Sequence, residues 1–355
     1  MSSLPLPALV VIFVAAGAAV WLAGIKLSEA TDVLDTRLGL GEALGGLILL
    51  AVVTNLPEIA IVVSAAVAHD LGIAVGNILG GIAIQTVVLV VLDAAGLPGD
   101  VALSYRGASL VVLLEAATVL AVLALTVMGS QLPPGLLWWR IDPAALLIAA
   151  AWVSGLILVD RARRGLPWHE AGQPPDGQAL PRGHSRRATE RRASEQGVAT
   201  IRAAAAFAAG AAVTLAAGVA LERSGEAIAV HAHMSGVLFG STVLAAATAL
   251  PEVSTGLASV RMGDYQLAFS DIFGGNAFLP VLFLVASLLS GQAVVPRAHA
   301  TDIYLTGLGA LLTVIYIFGI VFRPARTIGR VGLDSAVVLL LYLIGIAGLV
   351  AIAAS

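Results

Sequence analysis

Long, nearly uncharged apolar stretches are the feature that most constrains how this 355-residue chain can fold. A helix needs about 20 apolar residues to cross the hydrocarbon core of a bilayer. Because 59% of the residues are hydrophobic and only 12% are charged, a water-soluble fold could not bury the apolar surface of this chain. We therefore predict an all-α membrane protein.

Ten stretches are long enough to span a membrane, five on each side of one polar segment. They are Leu9–Ile25, Gly41–Val67, Leu71–Ala95, Gly107–Met128, Ile141–Val159, Ala203–Leu221, Ser235–Val260, Ala268–Leu289, Ile303–Phe322 and Leu333–Ala354. This plan predicts a five-helix N-terminal half (1–160), a basic linker (161–201) and a five-helix C-terminal half (202–355). Leu9–Ile25 does not end in a small-residue cleavage site, so we expect a first transmembrane helix rather than a signal peptide.

The positions of the basic residues predict the orientation of the chain. Short cytoplasmic loops collect Lys and Arg. With the N-terminus outside, all but three of the 19 basic residues fall in cytoplasmic loops, the exceptions being Arg140, Arg223 and Arg297. We therefore expect a multi-pass protein of the inner (plasma) membrane with a cytoplasmic linker. An odd number of helices in each half gives the two halves opposite orientations.

One short segment of the chain occurs twice. Thr54-Asn55-Leu56-Pro57-Glu58 returns as Thr248-Ala249-Leu250-Pro251-Glu252, 194 residues later. The same offset, without a gap, pairs Asp70 with Asp264, Asn77 with Asp271, and Gly80-Gly81 with Gly274-Gly275. We call 41–95 and 235–289 the first and second repeat segments. Their match indicates a duplication into two inverted five-helix repeats, an architecture that places the substrate near the bilayer midplane.

Two glutamates lie deep within the repeated apolar stretches. An ionisable side chain there costs roughly 2.5 kcal/mol or more and normally faces a cavity or a partner. Glu58 and Glu252 each follow a proline, which removes a helical hydrogen bond and frees the carbonyl four residues earlier. Those carbonyls belong to Val53 and Ala247, and the neighbouring hydroxyls to Thr54 and Thr248. Because Ca²⁺ takes 6 to 8 oxygen ligands, the two segments together predict a central cation site.

Other polar residues of the apolar stretches are further candidates. Asn77, Asp271, Asn276 and Gln85 add amide and carboxylate oxygens from the third and eighth helices, although Asp271 could instead cap the start of the eighth. Glu115 fits a proton relay and an interhelical hydrogen bond equally well. The chain has no cysteine, so oxygen or imidazole must bind any metal.

At these residues the chain resembles the cation/calcium exchanger superfamily, whose two alpha repeats carry G-T-S-L-P-E followed by G-N-x-x-G-S-N. Here the first repeat reads Val53-Thr54-Asn55-Leu56-Pro57-Glu58 and Gly76-Asn77-Ile78-Leu79-Gly80-Gly81-Ile82. The second reads Ala247-Thr248-Ala249-Leu250-Pro251-Glu252 and Ser270-Asp271-Ile272-Phe273-Gly274-Gly275-Asn276. The resemblance implies ten helices, alternating access, Ca²⁺ on Glu58 and Glu252, and Na⁺ on neighbouring carbonyls and hydroxyls. It also makes Asn55 a candidate ligand.

Several ligand positions depart from the family pattern. The motif serines are replaced by Asn55 and Ala249, and the later serines by Gly81 and Gly275. An acidic or amide position further along is Gln85 in the first repeat and Leu279 in the second. Asp271 restores a third acidic group, but it precedes Leu279 by 8 residues, about 12 Å along a helix. These departures predict altered ion selectivity or coupling.

The sequence therefore predicts a secondary active antiporter that exchanges Ca²⁺, or another divalent cation, for Na⁺ or H⁺. A monovalent cation/proton antiporter using the same glutamates is the alternative. An intramembrane hydrolase is disfavoured because the chain has no G-x-G-D or nucleophile-elbow motif, and a channel is a further, weaker alternative. The chain has no Walker A motif, which argues against an ATP-driven pump. We expect no enzymatic activity, no cofactor and no nucleic-acid partner, only inorganic cations and the lipid bilayer.

Overall fold

A computed structural model of the chain describes residues 4–38, 52–96, 101–164, 200–234, 236–261, 263–324 and 326–353. These residues are helical apart from turns and one hairpin, β1 (Thr327–Ile328) and β2 (Val331–Gly332). The α-helices of the first half are α1 (Leu6–Leu38), α2 (Leu56–Ala68), α3 (Leu71–Gly96), α4 (Leu103–Gly107), α5 (Leu110–Gly129) and α6 (Pro143–Arg164). Those of the second are α7 (Thr200–His231), α8 (Gly236–Phe239), α9 (Ala245–Thr248), α10 (Leu250–Arg261), α11 (Tyr265–Phe278), α12 (Leu282–Ser290), α13 (Ala300–Phe322) and α14 (Leu333–Ala353).

The described helices confirm an all-α, multi-pass membrane protein. Eight of them, counting α11 and α12 as one span, are long and apolar enough to cross a bilayer. The bent pair Gly240–Thr248 and Leu250–Arg261 adds a ninth span. The remaining expected span, Gly41–Val67, falls partly on residues 39–51, outside the described part of the chain.

Several helices are longer than the apolar stretches that predicted them. α1 continues to Leu38 rather than ending at Ile25, and α7 continues to His231 rather than Leu221. α6 ends at Arg164 and α7 begins at Thr200, so both edges of the expected linker are helical. Residues 165–199, which make up most of that linker, lie outside the described residues. Backbone hydrogen bonding continues where hydrophobicity stops, so hydropathy alone underestimates helix length.

The span expected over Ser235–Val260 is interrupted rather than one straight helix. The chain there forms α8, a π-helical turn (Gly240–Leu244), α9 and α10, with a bend of 48° between the parts before and after Ala249. In the first repeat segment, helical residues 52–54 end at a turn at Asn55, and α2 begins at Leu56. Pro57 and Pro251 therefore lie in the first turn of α2 and α10. The N–H groups of a first turn make no intrahelical hydrogen bond, so a proline there costs none.

α3 and the α11–α12 span form the centre of the protein. The central part of α3 is 83% buried and that of α11–α12 is 67% buried, against 28% for α7 and 22% for α14. α12 continues α11 through a 3₁₀ turn at Leu279–Val281. The main hydrophobic core includes Ile78, Leu79 and Ile82 from α3 and Ile272 and Phe273 from α11. The two repeat segments thus pack against each other.

The first helix of each half packs on the interrupted helix of the other half. A Cβ atom added at Gly24 of α1 would lie 3.2 Å from Pro251 Cβ, and one at Gly218 of α7 would lie 3.0 Å from Pro57 O. The two glycines are 194 residues apart, as the two prolines are. The sequence repeat therefore extends to the first helix of each half, beyond the motifs that revealed it.

Candidate ion-binding site

The helix breaks set the positions of Glu58 and Glu252. Asn55 (φ −90°, ψ 16°) and Ala249 (φ −76°, ψ 1°) both leave helical geometry, and a new helix begins at the next residue. Each glutamate therefore occupies the first turn of its helix, α2 or α10. The free N–H groups at a helix N-terminus favour negative charge, which helps to keep a carboxylate in this apolar setting.

The two glutamates are fully buried and close enough to interact electrostatically. Thr248 lies beside the Glu58 carboxyl group from the opposite repeat segment. Among the described residues, neither oxygen of Glu58 has a hydrogen-bond partner, and Oε2 of Glu252 has none. Burying an unpaired carboxylate costs free energy, so a bound cation or proton is needed to neutralise its charge.

Gln85 connects the two repeat segments. Its Nε2 donates to Asn55 Oδ1 at 3.3 Å and to Glu252 Oε1 at 3.2 Å. Gln85 is fully buried, and its Oε1 has no hydrogen-bond partner within the described part of the chain. This side chain therefore orients Glu252 and leaves one amide oxygen free at the same place.

Other expected ligands lie in the two interrupted segments that carry the glutamates. Asn55 Nδ2 donates to Thr54 Oγ1 at 3.4 Å, and Thr248 Oγ1 donates to the Ala245 carbonyl at 3.1 Å. Val53 and Ala247 come shortly before the breaks. In a continuous helix their carbonyls would accept from residues 57 and 251, but Pro57 and Pro251 have no N–H to donate. Carbonyl, hydroxyl and carboxylate oxygens thus lie in both interrupted segments, and Asn55 adds an amide oxygen in the first.

Asn276 makes a polar contact between the repeats with a residue that sequence reasoning missed. Its Nδ2 donates to Thr86 Oγ1 at 3.1 Å, and Thr86 Oγ1 donates to the Ile82 carbonyl at 2.7 Å. Asn276 Oδ1 has no partner among the described residues. The sequence repeat did not indicate Thr86 as a site residue, because the equivalent position in the second repeat is Pro280.

Asp271 does not cap a helix. α11 begins at Tyr265, and the cap is Asp264, whose side chain accepts a hydrogen bond from Leu267 N at 3.0 Å. Asp271 is buried within α11, accepts from Thr255 Oγ1 on Oδ2, and interacts electrostatically with Glu252. The repeat equivalent of Thr255 is Ile61, which has no hydroxyl group. The equivalent Asn77 is fully buried, with neither amide atom hydrogen-bonded among the described residues.

The repeated glycines have different surroundings. A Cβ atom at Gly275 would lie 3.1 Å from Asn55 Nδ2 and 3.5 Å from Gln85 Oε1, so Gly275 makes room for the two amides.

The other repeated glycines lie away from the amides. A Cβ at Gly80 would clash with the Ser241 backbone, whereas one at Gly81 would make an ordinary 3.4 Å contact with Leu279. Gly274 has nothing within 4 Å of such a Cβ. Close helix packing thus accounts for Gly80, and space for the amides accounts for Gly275.

We call the buried polar residues described above the central cluster, namely Thr54, Asn55, Glu58, Gln85, Thr248, Glu252, Asp271 and Asn276. Glu115 has a partner outside this cluster. Its Oε1 lies 3.1 Å from Nη2 of Arg163, near the end of α6. Glu115 is buried, and its other oxygen has no hydrogen-bond partner in the described part of the chain. The ion pair favours the structural interpretation of Glu115 over the proton-relay interpretation.

Comparison with known proteins matches most of the chain to one family. The family model described as "Sodium/calcium exchanger protein" matches residues 8–160 and 202–351. These ranges include both repeat segments and nearly all of both halves of the chain.

Two named bacterial proteins are similar over shorter stretches. "Inner membrane protein YrbG" of Escherichia coli K12 is 29% identical over 97 residues, which are 27% of this chain and 30% of that protein. "Putative antiporter CaxA" of Alkalimonas amylolytica is 33% identical over 91 residues, 26% of this chain and 28% of that protein. The matched stretches thus span less than a third of either relative.

The fold is shared with a solved structure over nearly the whole chain. The crystal structure of the H⁺/Ca²⁺ exchanger CAX aligns with a TM-score of 0.66 at 14% sequence identity. The alignment covers 97% of this chain and 85% of that one. At this identity the likeness concerns the fold.

Proposed function

This chain belongs to the sodium/calcium exchanger protein family, whose members are cation transporters and not enzymes, and on that premise we propose that it exchanges Ca²⁺ or another divalent cation for H⁺ or Na⁺. In this proposal the two halves are inverted five-helix repeats that alternate access to one central site. Glu58 and Glu252 bind the transported cation, and the other oxygens of the cluster complete its coordination.

The observation that carries the proposal is the pair of buried glutamates with unpaired oxygens. Three carboxylate oxygens, both from Glu58 and one from Glu252, have no partner among the described residues. Two negative charges in one buried place match a divalent cation, and hard cations such as Ca²⁺ prefer oxygen ligands. Amide oxygens of Gln85 and Asn276, which also lack partners there, supply neutral ligands of the same class.

The scarcity of hydroxyl groups favours H⁺ over Na⁺ as the counter-ion. Ala249, Gly81 and Gly275 have no hydroxyl where the family pattern has serine, so three Na⁺ ligands are absent. A buried carboxylate needs only a proton to become neutral, without further ligands.

Exchange of a monovalent cation for protons is the second candidate. The Gln85 amide occupies one oxygen of Glu252, which reduces the ligands available to a divalent cation. A single cation of lower charge, or a proton, would need fewer ligands than Ca²⁺ does.

We propose a cavity of about 330 Å³ as the entrance through which cations reach the site. Three carboxylate residues line it, namely Asp70, Glu222 and Glu226. Its wall includes Gly240, where an added Cβ atom would lie 3.7 Å from Asn77 N. A cavity lined by charges of one sign concentrates counter-ions, here cations, within it.

We place the protein in the inner membrane with its N-terminus outside and its basic linker in the cytoplasm, since this arrangement puts most arginines inside. The cavity then opens outward, because Asp70 follows the second predicted span and Glu222 and Glu226 lie near the outer end of α7.

Uptake of radioactive Ca²⁺ into proteoliposomes tests the proposal, with Na⁺ and proton gradients imposed separately. We expect uptake driven by an outward proton gradient and little response to Na⁺. Uptake that follows only the membrane potential, without a counter-ion, would indicate a channel. Proton-coupled Na⁺ or K⁺ flux without Ca²⁺ uptake would select the second candidate.

A further inference from the structure

A second pair of buried acids lies at the far end of α3, away from the glutamates. Asp93 follows Gln85 by 8 residues, about 12 Å along the helix. Asp334 lies in the first turn of α14. The exposed fractions of the two residues are 1% and 6%, so both are buried near the end of a spanning helix.

Asp93 has a structural role that uses both of its oxygens. Oδ1 accepts from Leu103 N at 2.8 Å, at the start of α4, and Oδ2 accepts from Gly332 N at 2.7 Å, in β2. This carboxylate thus holds α4 and the hairpin against α3.

Asp334 adds a carboxylate that has no such partners. By hydrogen-bond geometry neither of its oxygens has a partner within the described part of the chain, and the same holds for Ser104 Oγ. The Ser104 hydroxyl, in a residue that is 1% exposed, and the Ser335 N–H are the polar groups beside this carboxylate. A Cβ atom added at Gly332 would lie 2.7 Å from Asp334 Oδ1 and 3.0 Å from Asp93 Oδ2, so both carboxylates converge on one point. No Lys or Arg of the described residues forms an ion pair with either acid.

The other half of the chain shows that one carboxylate is sufficient for the structural role. Asp142 precedes α6 in the first half, as Asp334 begins α14 in the second. Its Oδ2 accepts from Val294 N and Val295 N, both at 3.1 Å, and its Oδ1 accepts from Ala144 N at 2.9 Å. At the end of α3 it is Asp93 that accepts the backbone hydrogen bonds, from Leu103 N and Gly332 N, so these bonds do not require the carboxylate of Asp334.

We propose that Asp93, Asp334 and Ser104 form a second cation site, for a hard divalent cation of the Ca²⁺ class, separate from the transport site. The donors are oxygens, and neither carboxylate forms an ion pair with a described Lys or Arg. A buried carboxylate without a counter-charge is costly, and hard divalent cations prefer oxygen ligands. A cation here joins α14 to α3 through the Asp93 carboxylate, beside the hairpin. It stabilises this end of the protein and is not transported.

Ca²⁺ binding to the full-length protein in lipid nanodiscs tests this site when the central site is disabled by the double change Glu58→Gln and Glu252→Gln. We expect this variant still to bind one Ca²⁺ per chain and to melt at a higher temperature when Ca²⁺ is present. Adding Asp334→Asn, which preserves side-chain shape, should weaken binding at least tenfold and abolish the melting shift. Asp264→Asn, at a helix cap elsewhere, is the matched control and should change neither.

Two results would overturn the proposal: no Ca²⁺ binding by the folded double variant, or unchanged binding after Asp334→Asn. If Asp334→Asn does not fold, Ser104→Ala in the same background decides, because it removes one neutral ligand and should weaken binding severalfold. The transport proposal is tested separately: exchange of ions by the Glu58→Gln and Glu252→Gln double variant would contradict it.

Discussion

Gln85 Nε2 lies 3.2 Å from Glu252 Oε1 and 3.3 Å from Asn55 Oδ1, so a single amide group joins the two repeat segments at the centre of the protein. The repeat equivalent of Gln85 is Leu279, which can make neither bond. The central cluster is therefore asymmetric although the helices around it are repeated.

Gln85→Leu tests this connection, since Leu is the residue at the equivalent position. The change removes a hydrogen bond to a charged group, worth roughly 1.5–3 kcal/mol, and leaves Glu252 without its orienting partner. We expect the half-saturating Ca²⁺ concentration to rise about tenfold or more. Gln131→Leu, at an exposed turn, is the control, and equal Ca²⁺ dependence of the two variants would show that Gln85 has no part in ion binding.

Glu58→Gln and Glu252→Gln should each reduce exchange by about 100-fold or more, because either change halves the charge that offsets a divalent cation in a buried site. Circular dichroism and size-exclusion chromatography check that the variants fold. Glu115→Gln is the matched control, a buried glutamate paired with Arg163. We expect it to retain exchange, and its loss of proton coupling would instead identify Glu115 as a relay.

Gly275→Ser should lower the melting temperature when introduced alone, because its Cβ would lie 3.1 Å from Asn55 Nδ2. Asn55→Ser removes that amide, so the double variant should recover the lost stability. Adding Ala249→Ser and Gly81→Ser restores the family hydroxyls, and Na⁺ dependence of Ca²⁺ uptake should then increase. An unchanged Na⁺ response in the folded fourfold variant would contradict the hydroxyl explanation of the counter-ion.

Asp271→Asn should preserve the fold, since the equivalent position already holds Asn77. It removes a titratable charge that interacts with Glu252, so apparent cation affinity across pH should differ from that of the parent. Asp264→Asn provides the control, because Asn is also a good helix cap. Superimposable pH profiles for the parent and Asp271→Asn would leave Asp271 with a structural role only.

Asp70→Asn and Glu226→Gln should raise the Ca²⁺ concentration needed for half-maximal uptake by a few-fold at low ionic strength, without changing the maximal rate. Both residues line the cavity and are exposed, so they attract cations without binding them tightly. Added salt should remove the difference because it screens exposed charges. A salt-independent effect would argue against the proposed access route.

The membrane fold could be predicted from the sequence because spanning helices require long apolar stretches. The Pro-Glu repeat also identified Glu58 and Glu252 as a pair that the fold brings together. The breaks at Asn55 and Ala249 were not predicted as such, because a proline can either kink a helix or begin a new one. Which of the two occurs depends on the surrounding packing.

The hydrogen-bond partners of the cluster could not be read from the sequence. Thr86 and Thr255 have no polar counterpart in the other repeat. Comparing residues 194 positions apart, which identified the glutamates, therefore did not identify these two. Gly24 and Gly218 are also 194 residues apart. Glycine is common in membrane helices, so this match alone could not show that the two positions are important. Their importance follows only from the contacts with Pro251 and Pro57.

The contact between Gly24 and Pro251 also affects how the protein is made. α1 emerges from the ribosome long before α10 is synthesised, so the face of α1 that carries Gly24 meets lipid when the helix first enters the bilayer. The same face is covered only after most of the second half has been inserted. Biosynthesis must therefore leave the N-terminal half incompletely packed until a later segment displaces the lipid, and the final arrangement is reached after insertion.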